Sequence, residues 1–549
     1  MRSATLLDPY GNVHTRSLRR RRRTSGAGVV LPAGLVAGAV GAVAADNPLA
    51  AAGVTGVTIL AFVPWVALFT ALIGSAVANR WGVEVSGVSL RMAQAVLVPF
   101  ALRAVLFTDL DVRPRWRFAE WVLIMFVVVN FISTYFFAPV NSSWLAAGIE
   151  LLGATAYLAV YMSVCTPQRL RVASRIFLSL GAVSAAIGIA SFLGYYVGFG
   201  FGVDYRYVPA INGAPAIKGI AYEHDIFGST CAAVAIALLV LMREHSTLFS
   251  KKWTERLFWI SLGGMLVSQA RGAWIGFGFI FILYYVVGVR RRRVVRVPKM
   301  LRTTAVVFLL GLMGLVGFYL TNTQNATSAP SPLNGLVTTV YQKVQSGLSL
   351  SGNASCDGCN TGAGRIRRWT KGIDEVTAQS PVIGLGTDSY GLRNFRPSPH
   401  TWPYLAPAYI ESLYVRTFYD TGGLGLLLLL LFLGLVLWPR REIQNSPGDL
   451  APIARALTFG GLTLAVAYGV TDSTLLVWPW IMFGLIRAAT WLAVRQARDL
   501  RGSARAGMGS GNGGNGGPSA PAPALGARSS SWMGNGSPAG NGWGLVPGR

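Results

Sequence analysis

The chain is 549 residues long, 52% hydrophobic and only 13% charged, with a mean hydropathy of +0.47. A soluble chain carries about a quarter charged residues, so a soluble enzyme, a secreted disulfide scaffold and a disordered chain are all excluded. The net charge of +26 is concentrated: residues 1–26 hold seven Arg against Asp8, and 289–302 hold Arg290, Arg291, Arg292, Arg293, Arg296, Lys299 and Arg302.

Apolar segments approaching or exceeding the ~20 residues that carry a helix across a bilayer lie at 28–45, 52–78, 86–108, 119–139, 144–165, 175–197, 224–242, 256–269, 272–288, 303–320, 421–438, 450–470 and 474–495. They predict an all-α fold, a polytopic transmembrane helical bundle with about 12 crossings and one long extracytoplasmic loop. Residues 1–27 form a basic arm, 28–320 the first membrane helices, 321–420 the long loop, and 421–495 the last membrane helices. Residues 496–549 are a Gly/Ser/Pro-rich tail without apolar periodicity, which reads as disordered. The positive-inside rule puts the basic blocks and both termini in the cytoplasm. Because each block flanks a span, its partner is expected to be the anionic membrane surface and not nucleic acid. Arg91 and Arg103 would each cost about 2.5–3.5 kcal/mol at mid-membrane, and Pro99 interrupts the segment, so 86–108 is expected to lie along the cytoplasmic interface.

Cys165 and Cys231 fall in or beside apolar segments and read as small core residues. Cys356 and Cys359 form a CxxC in the long polar loop, a candidate local disulfide if that loop faces an oxidising compartment. Zinc would need two further soft ligands close by, and the sequence offers none, so no metal is expected.

The long segment 321–420 opposes the charge rule for an exported loop. It carries Lys343, Arg365, Arg367, Arg368, Lys371, Arg393, Arg396 and Arg416 against Asp357, Asp374, Glu375, Asp388, Glu411 and Asp420. Exported arginines suggest an anionic ligand, since a guanidinium fork matches phosphate oxygens bidentately. Arg271, in Ser268-Gln269-Ala270-Arg271-Gly272-Ala273 between two apolar stretches, is an ionisable group at a depth where function is the default reading. Lys218, Tyr222, Glu223, His224 and Asp225 crowd the start of the span at 224–242 and suit a polar headgroup, although Asp225 alone would serve as helix-end capping. Glu411 shares the helical spacing of Tyr414 and Phe418, which makes it a carboxylate on an amphipathic helix and a candidate base.

In this order, four stretches resemble the O-antigen ligase and O-antigen polymerase (Wzy) superfamily over roughly residues 119–495. They are the Ser268-x-x-Arg271-Gly272-Ala273 turn, a long loop with Arg365 and Trp369 four apart, Pro381-Val382-Ile383-Gly384-Leu385-Gly386, and Asp420-Thr421-Gly422 before a Leu-rich span. The resemblance implies a metal-independent, inverting membrane glycosyltransferase of surface polysaccharide biosynthesis, acting at the outer face of the bacterial inner membrane. Its donor would be a polyprenyl-diphosphate-linked glycan and its acceptor a hydroxyl on a lipid or another glycan; no cofactor is implied. Carried over by position, Arg271 is the family's arginine in that turn. Arg365, Arg393 and Arg396 are expected to share the diphosphate, with Lys218 and Arg206 as the nearest substitutes for the family's arginine before the span at 224–242. The family's ligase His maps to Glu411, eleven residues before Gly422, and His400, eleven residues earlier, is the other candidate base. The alternative from a different class is a transporter or flippase of lipid-linked sugar, which would also line a cavity with basic side chains; transporters usually show internal repeats, and none is visible.

Overall fold

The computed structural model describes residues 57, 59–85, 88–107, 116–204, 215–290, 362–394, 410–438, 448–471 and 476–509, with Leu6–Leu7, Val13–His14, Pro114 and Ile443. Two short antiparallel hairpins, β1 (Leu6–Leu7) with β2 (Val13–His14) and β3 (Gly82–Val85) with β4 (Val88–Arg91), accompany the helices. The helices are α1 (Trp65–Val77), α2 (Met92–Leu106), α3 (Phe118–Phe137), α4 (Asn141–Ser163), α5 (Pro167–Tyr195), α6 (His224–Arg243), α7 (Lys251–Ser268) and α8 (Arg271–Arg290). They continue with α9 (Gly362–Gln379), α10 (Ser389–Asn394), α11 (Leu413–Leu437), α12 (Leu450–Ala467) and α13 (Val477–Gly509). The chain divides into two units, Met1–Asp499 and Leu500–Arg549, the second holding the last turns of α13.

Among the described residues, seven helices are long and apolar enough to cross a membrane (α3, α4, α5, α6, α11, α12 and α13), and α1, α2 and the first part of α8 are shorter apolar helices. α7 fills the expected segment 256–269 and starts earlier, at Lys251, where Ser250 accepts the Trp253 N–H and caps it. Segments 28–45 and 303–320, two of the expected crossings, lie outside the described residues.

α6 and α13 are buried along nearly their whole apolar length and form the centre of the bundle. α6 packs on α7, α12 and α8; α11 packs on α3; α1 pairs with α2. Lipid offers no hydrophobic drive between helices, so close backbone approach at small residues has to supply the packing. Gly276 and Gly460 do this: a Cβ on either would press into the Thr463 carbonyl of α12 or the Ala233 carbonyl of α6.

Alternating helix direction sorts the ends into two sets. At one end Arg175 donates to the Leu248 carbonyl at 2.6 Å, Arg455 pairs with Glu244, Arg171 pairs with Asp449, and Arg169 lies over Trp65. The basic connectors at 169–175 and 251–252, expected to share one side, do gather there. The opposite end collects the starts of α6, α8 and α11 and the last turns of α3, α7 and α12.

The segment 86–108 holds β4 and α2. Arg91 caps the start of α2 and stacks on Tyr222 at the far end, whereas Arg103, in the last turn, donates to the Ala61 carbonyl at 2.7 Å. α2 therefore runs back along α1 and packs on α4, and its two arginines sit at opposite ends, not at the mid-depth where they would be costly. Cys165 and Cys231 are buried and free, as small core residues should be.

Candidate functional site

The end opposite the basic connectors carries the charge cluster. α7 stops at Gln269 in a left-handed conformation, with φ +58°, and Ser268 accepts the Ala270 N–H at 3.2 Å. The chain then restarts as α8 with Arg271 as its first residue. Gly272 lies flat on the end of α12, where a Cβ would meet Val470 Cγ2 at 2.8 Å. The order Ser-x-x-Arg-Gly is thus a tight helix-to-helix turn that presents Arg271 at the start of α8, beside the end of α12.

Arg365 comes to the same place from α9. Its Nη1 donates to the Val470 carbonyl at 2.9 Å, its Nη2 is 3.5 Å from Asp225 Oδ2, and its Nε pairs with Glu411 Oε2. Arg368, one helical turn further along α9, brings Nη2 to 3.3 Å from the same Glu411 oxygen. Arg271 lies within electrostatic reach of Arg365, Asp225 and Glu411. Arg368 and Glu411 are 4% and 6% exposed, so these charges meet out of bulk water, where each interaction is strong and each unpaired charge costly.

Behind Asp225 stands a second pair of groups. His224 Nε2 is 3.4 Å from Asp225 Oδ1 and its Nδ1 is 3.5 Å from Asp204 Oδ2. Asp204 reaches the site because its N–H bonds the Ala216 carbonyl at 2.9 Å, in a small bridge between Val203 and Ile217. The side chains line up as Asp204–His224–Asp225–Arg365–Glu411–Arg368, with Arg271 beside them.

Glu411 differs from its expected setting. Ser412 accepts the Val415 N–H and caps α11, so the helix begins at Leu413 and Glu411 precedes it in a bend that the Ser412 N–H closes onto the Ile410 carbonyl at 2.8 Å. Its carboxylate is aimed by the cap and not by a shared face with Tyr414 and Phe418. Instead, Tyr414 donates to the Ala465 carbonyl at 2.6 Å, and the Leu413 N–H donates to the Tyr468 carbonyl at 2.9 Å, which ties the start of α11 to the end of α12.

The glycine-rich stretch is a clamp. Gly384, Gly386 and Gly422 have φ of +75°, +95° and +65°, and a Cβ on each would collide with the opposing backbone or with Ala138. Gly422 kinks α11, and residues 381–386 lie along the kink: Leu385 N–H donates to Tyr419 O at 2.8 Å, Gly386 N–H to Asp420 O at 3.0 Å, and Gly423 N–H to Pro381 O at 2.8 Å. Thr387 then bonds Asn130 and Thr134 of α3, and Arg416 spans Asp420 at 3.1 Å and Asp388 at 3.5 Å. A small core of Val376, Leu385, Tyr390, Ile410 and Tyr419 seals α9 onto α11.

Of the expected site residues, Arg271, Arg365 and Glu411 converge. Lys218 lies in the turn just before α6, where its N–H donates to the Gly202 carbonyl at 2.9 Å. Arg393 is exposed and spent elsewhere, on Gln379 at 3.0 Å and the Phe137 carbonyl at 2.9 Å, where it pins α10 to α3. Arg206, Arg396, His400, Cys356 and Cys359 lie outside the described residues. Asp204 has no signal in the sequence; Arg368 and His224 stand in the basic loop and the polar helix entry, and the three-residue spacing of Arg365 and Arg368 is the signal that places both on one helical face. Among the described residues, no group of three or more His, Cys, Asp and Glu side chains could hold a metal ion.

These observations define a multispan membrane protein with arginines and carboxylates gathered at the helix ends of one face. Residues 257–430 match the family model described as O-Antigen ligase, a stretch running from α7 through Arg271, Arg365, Arg368 and Glu411 into α11. Over these residues the chain is similar to the O-antigen ligase/Wzy-like superfamily, which supports a membrane glycosyltransferase-like function in polysaccharide assembly. Comparison with curated proteins gives no match.

Proposed function

We propose that the protein transfers a glycan from a polyprenyl-diphosphate donor to an acceptor hydroxyl, as ligase or polymerase, at the outer face of the bacterial inner membrane. The observation carrying this reading is the meeting of Arg271, Arg365 and Arg368 around Glu411 at the end away from the basic connectors. Basic connectors belong on the cytoplasmic side, so this end faces outward and both termini lie in the cytoplasm.

In the transfer, the acceptor oxygen forms a bond to the anomeric carbon as the bond from that carbon to the diphosphate oxygen breaks, with inversion. The electron pair leaves with the diphosphate, and the acceptor proton goes to Glu411. Arg271, Arg365 and Arg368 neutralise the charge growing on the leaving diphosphate, where preorganised cations in a water-poor site act most strongly. Once so neutralised, a diphosphate is a competent leaving group, and the chemistry asks for neither metal nor cofactor. With no donor bound, Glu411 balances Arg365 and Arg368; an arriving diphosphate competes for the same guanidiniums and releases the carboxylate toward the hydroxyl. Asp225, backed by His224 and Asp204, positions Arg365.

Reconstituted vesicles carrying lipid-linked donor test this. Arg271→Ala and Glu411→Gln should abolish transfer while donor accumulates outside. Accumulation on the cytoplasmic face would instead identify a flippase and overturn the proposal.

A further inference from the structure

At the basic end of the bundle, away from the transfer site, a cavity of about 160 Å³ opens between α3 and α13. That is far more than the ~10–15 Å³ that admits a single water. Arg117, Tyr161, Arg487, Trp491, Arg495 and Arg498 line it, and Asp499 is the acid among its lining residues. The nearby Glu120 is already matched: Arg487 donates to its two oxygens at 2.8 and 3.2 Å, and the Tyr157 hydroxyl donates at 2.9 Å. Arg117, Arg495 and Arg498 are exposed at the rim, with Arg495 lying over the Trp491 ring at 5.7 Å.

Two observations set the depth and the kind of ligand. Exposed Trp116 and Trp121, edge to face at 5.7 Å, flank Arg117, and tryptophans so placed sit at the headgroup level of a bilayer. Below them α3 exposes Trp121, Met125, Val128 and Ile132 in one helical stripe, apolar surface along which an acyl chain can lie. The start of α3 adds the positive end of its dipole.

We propose that this cavity binds the phosphate of an anionic phospholipid headgroup in the leaflet on the basic side. Arginine forks supply the recognition, and a basic pocket between membrane helices at the cytoplasmic side is where such headgroups bind. The site depends on the membrane reading but not on the transfer reaction, so its test leaves that reaction aside.

The full-length protein is placed in nanodiscs of phosphatidylcholine with or without phosphatidylglycerol, and its thermal unfolding is followed. Phosphatidylglycerol should raise the unfolding temperature. The exposed double variant Arg117→Gln/Arg495→Gln should lose at least half of that increment, whereas Lys251→Gln/Lys252→Gln, at the same end, should keep it. Equal stabilisation of the parent and the Arg117/Arg495 variant, or no effect of phosphatidylglycerol, overturns the proposal. A detergent control with inorganic phosphate separates the sources: full stabilisation by phosphate alone, lost in the same variant, would assign the cavity to a soluble anion and overturn the lipid.

Discussion

Glu411→Gln separates the electrostatic role of this side chain from its shape. The amide keeps the volume and one acceptor oxygen but removes the charge that faces Arg365 and Arg368. At 3.3 Å the Arg368 contact alone is worth about 5 kcal/mol of Coulomb attraction at an effective dielectric of ~20. Desolvation of both groups offsets much of this, yet removing one partner of a buried pair still costs about 3–5 kcal/mol, because the remaining charge loses a counter-ion it was desolvated to meet. Purified Glu411→Gln protein should therefore unfold several degrees below the parent in the same lipid. Adding Arg368→Gln should restore part of the loss, with a coupling of at least ~1 kcal/mol in the double-mutant cycle, while transfer from a lipid-linked donor stays absent in both. Additivity within ~0.5 kcal/mol, or an unchanged unfolding temperature for Glu411→Gln, would show that the buried cluster does not exist as described.

Arg271→Ala should lower the initial transfer rate by about 10²–10³-fold, with Arg271→Lys recovering only part, since an ammonium neutralises phosphate without forking onto it. Arg393→Ala should cost about 1 kcal/mol of stability through its bonds to Gln379 and Phe137, yet leave the rate within about threefold of the parent, as checked by parallel melting and transfer assays. Gly386→Ala should destabilise by roughly 2–4 kcal/mol, from its φ of +95° and the collision with Ala138, seen as a lower unfolding temperature. Burial alone would raise the Asp449 carboxyl, but hydrogen bonds from Gln496 and Arg171, with the charge of Arg171, outweigh it and hold it below its ordinary value. A depressed carboxyl contributes stability above its unfolded pKa and loses it as the pH falls through the folded one, so the stability gap between parent and Asp449→Asn should be full at neutral pH and close below about pH 4.

Fold class was legible because bilayer-length apolar runs leave a helix few alternatives, and most described residues of the expected segments are helical, the β4 strand at Val88–Arg91 being an exception. In 86–108 the sequence shows Arg91 and Arg103 as two charges in one apolar run, and only the helix bounds show that they stand at the two ends of a fifteen-residue helix. Arg271 stood out as an isolated charge among apolar residues, and Glu411 by its spacing to Gly422. The partners did not stand out: Arg365 meets Asp225 and Val470 across 140 and 105 residues of chain, a pairing that only tertiary packing creates. Ser412 was a readable cap that moves the helix start past Glu411, and His224 looked like one polar residue among several until Asp204 arrived from another loop.

The motifs that carry the family resemblance divide into two jobs. Gly384, Gly386 and Gly422 touch no charge of the cluster; they let the 381–386 segment lie flat on the kink of α11, which fixes α9 against α11 through Tyr390 and Tyr419. That contact decides whether Arg365 and Arg368, on α9, reach Glu411, at the head of α11. Gly272 does the same for Arg271, by letting α8 close on the Val470 turn that accepts Arg365. A chain with all four charged residues but bulkier side chains at these glycines would hold its cations at the wrong separations. For the proposed transfer, the glycines therefore matter as much as the arginines, because they set the separations of the charges.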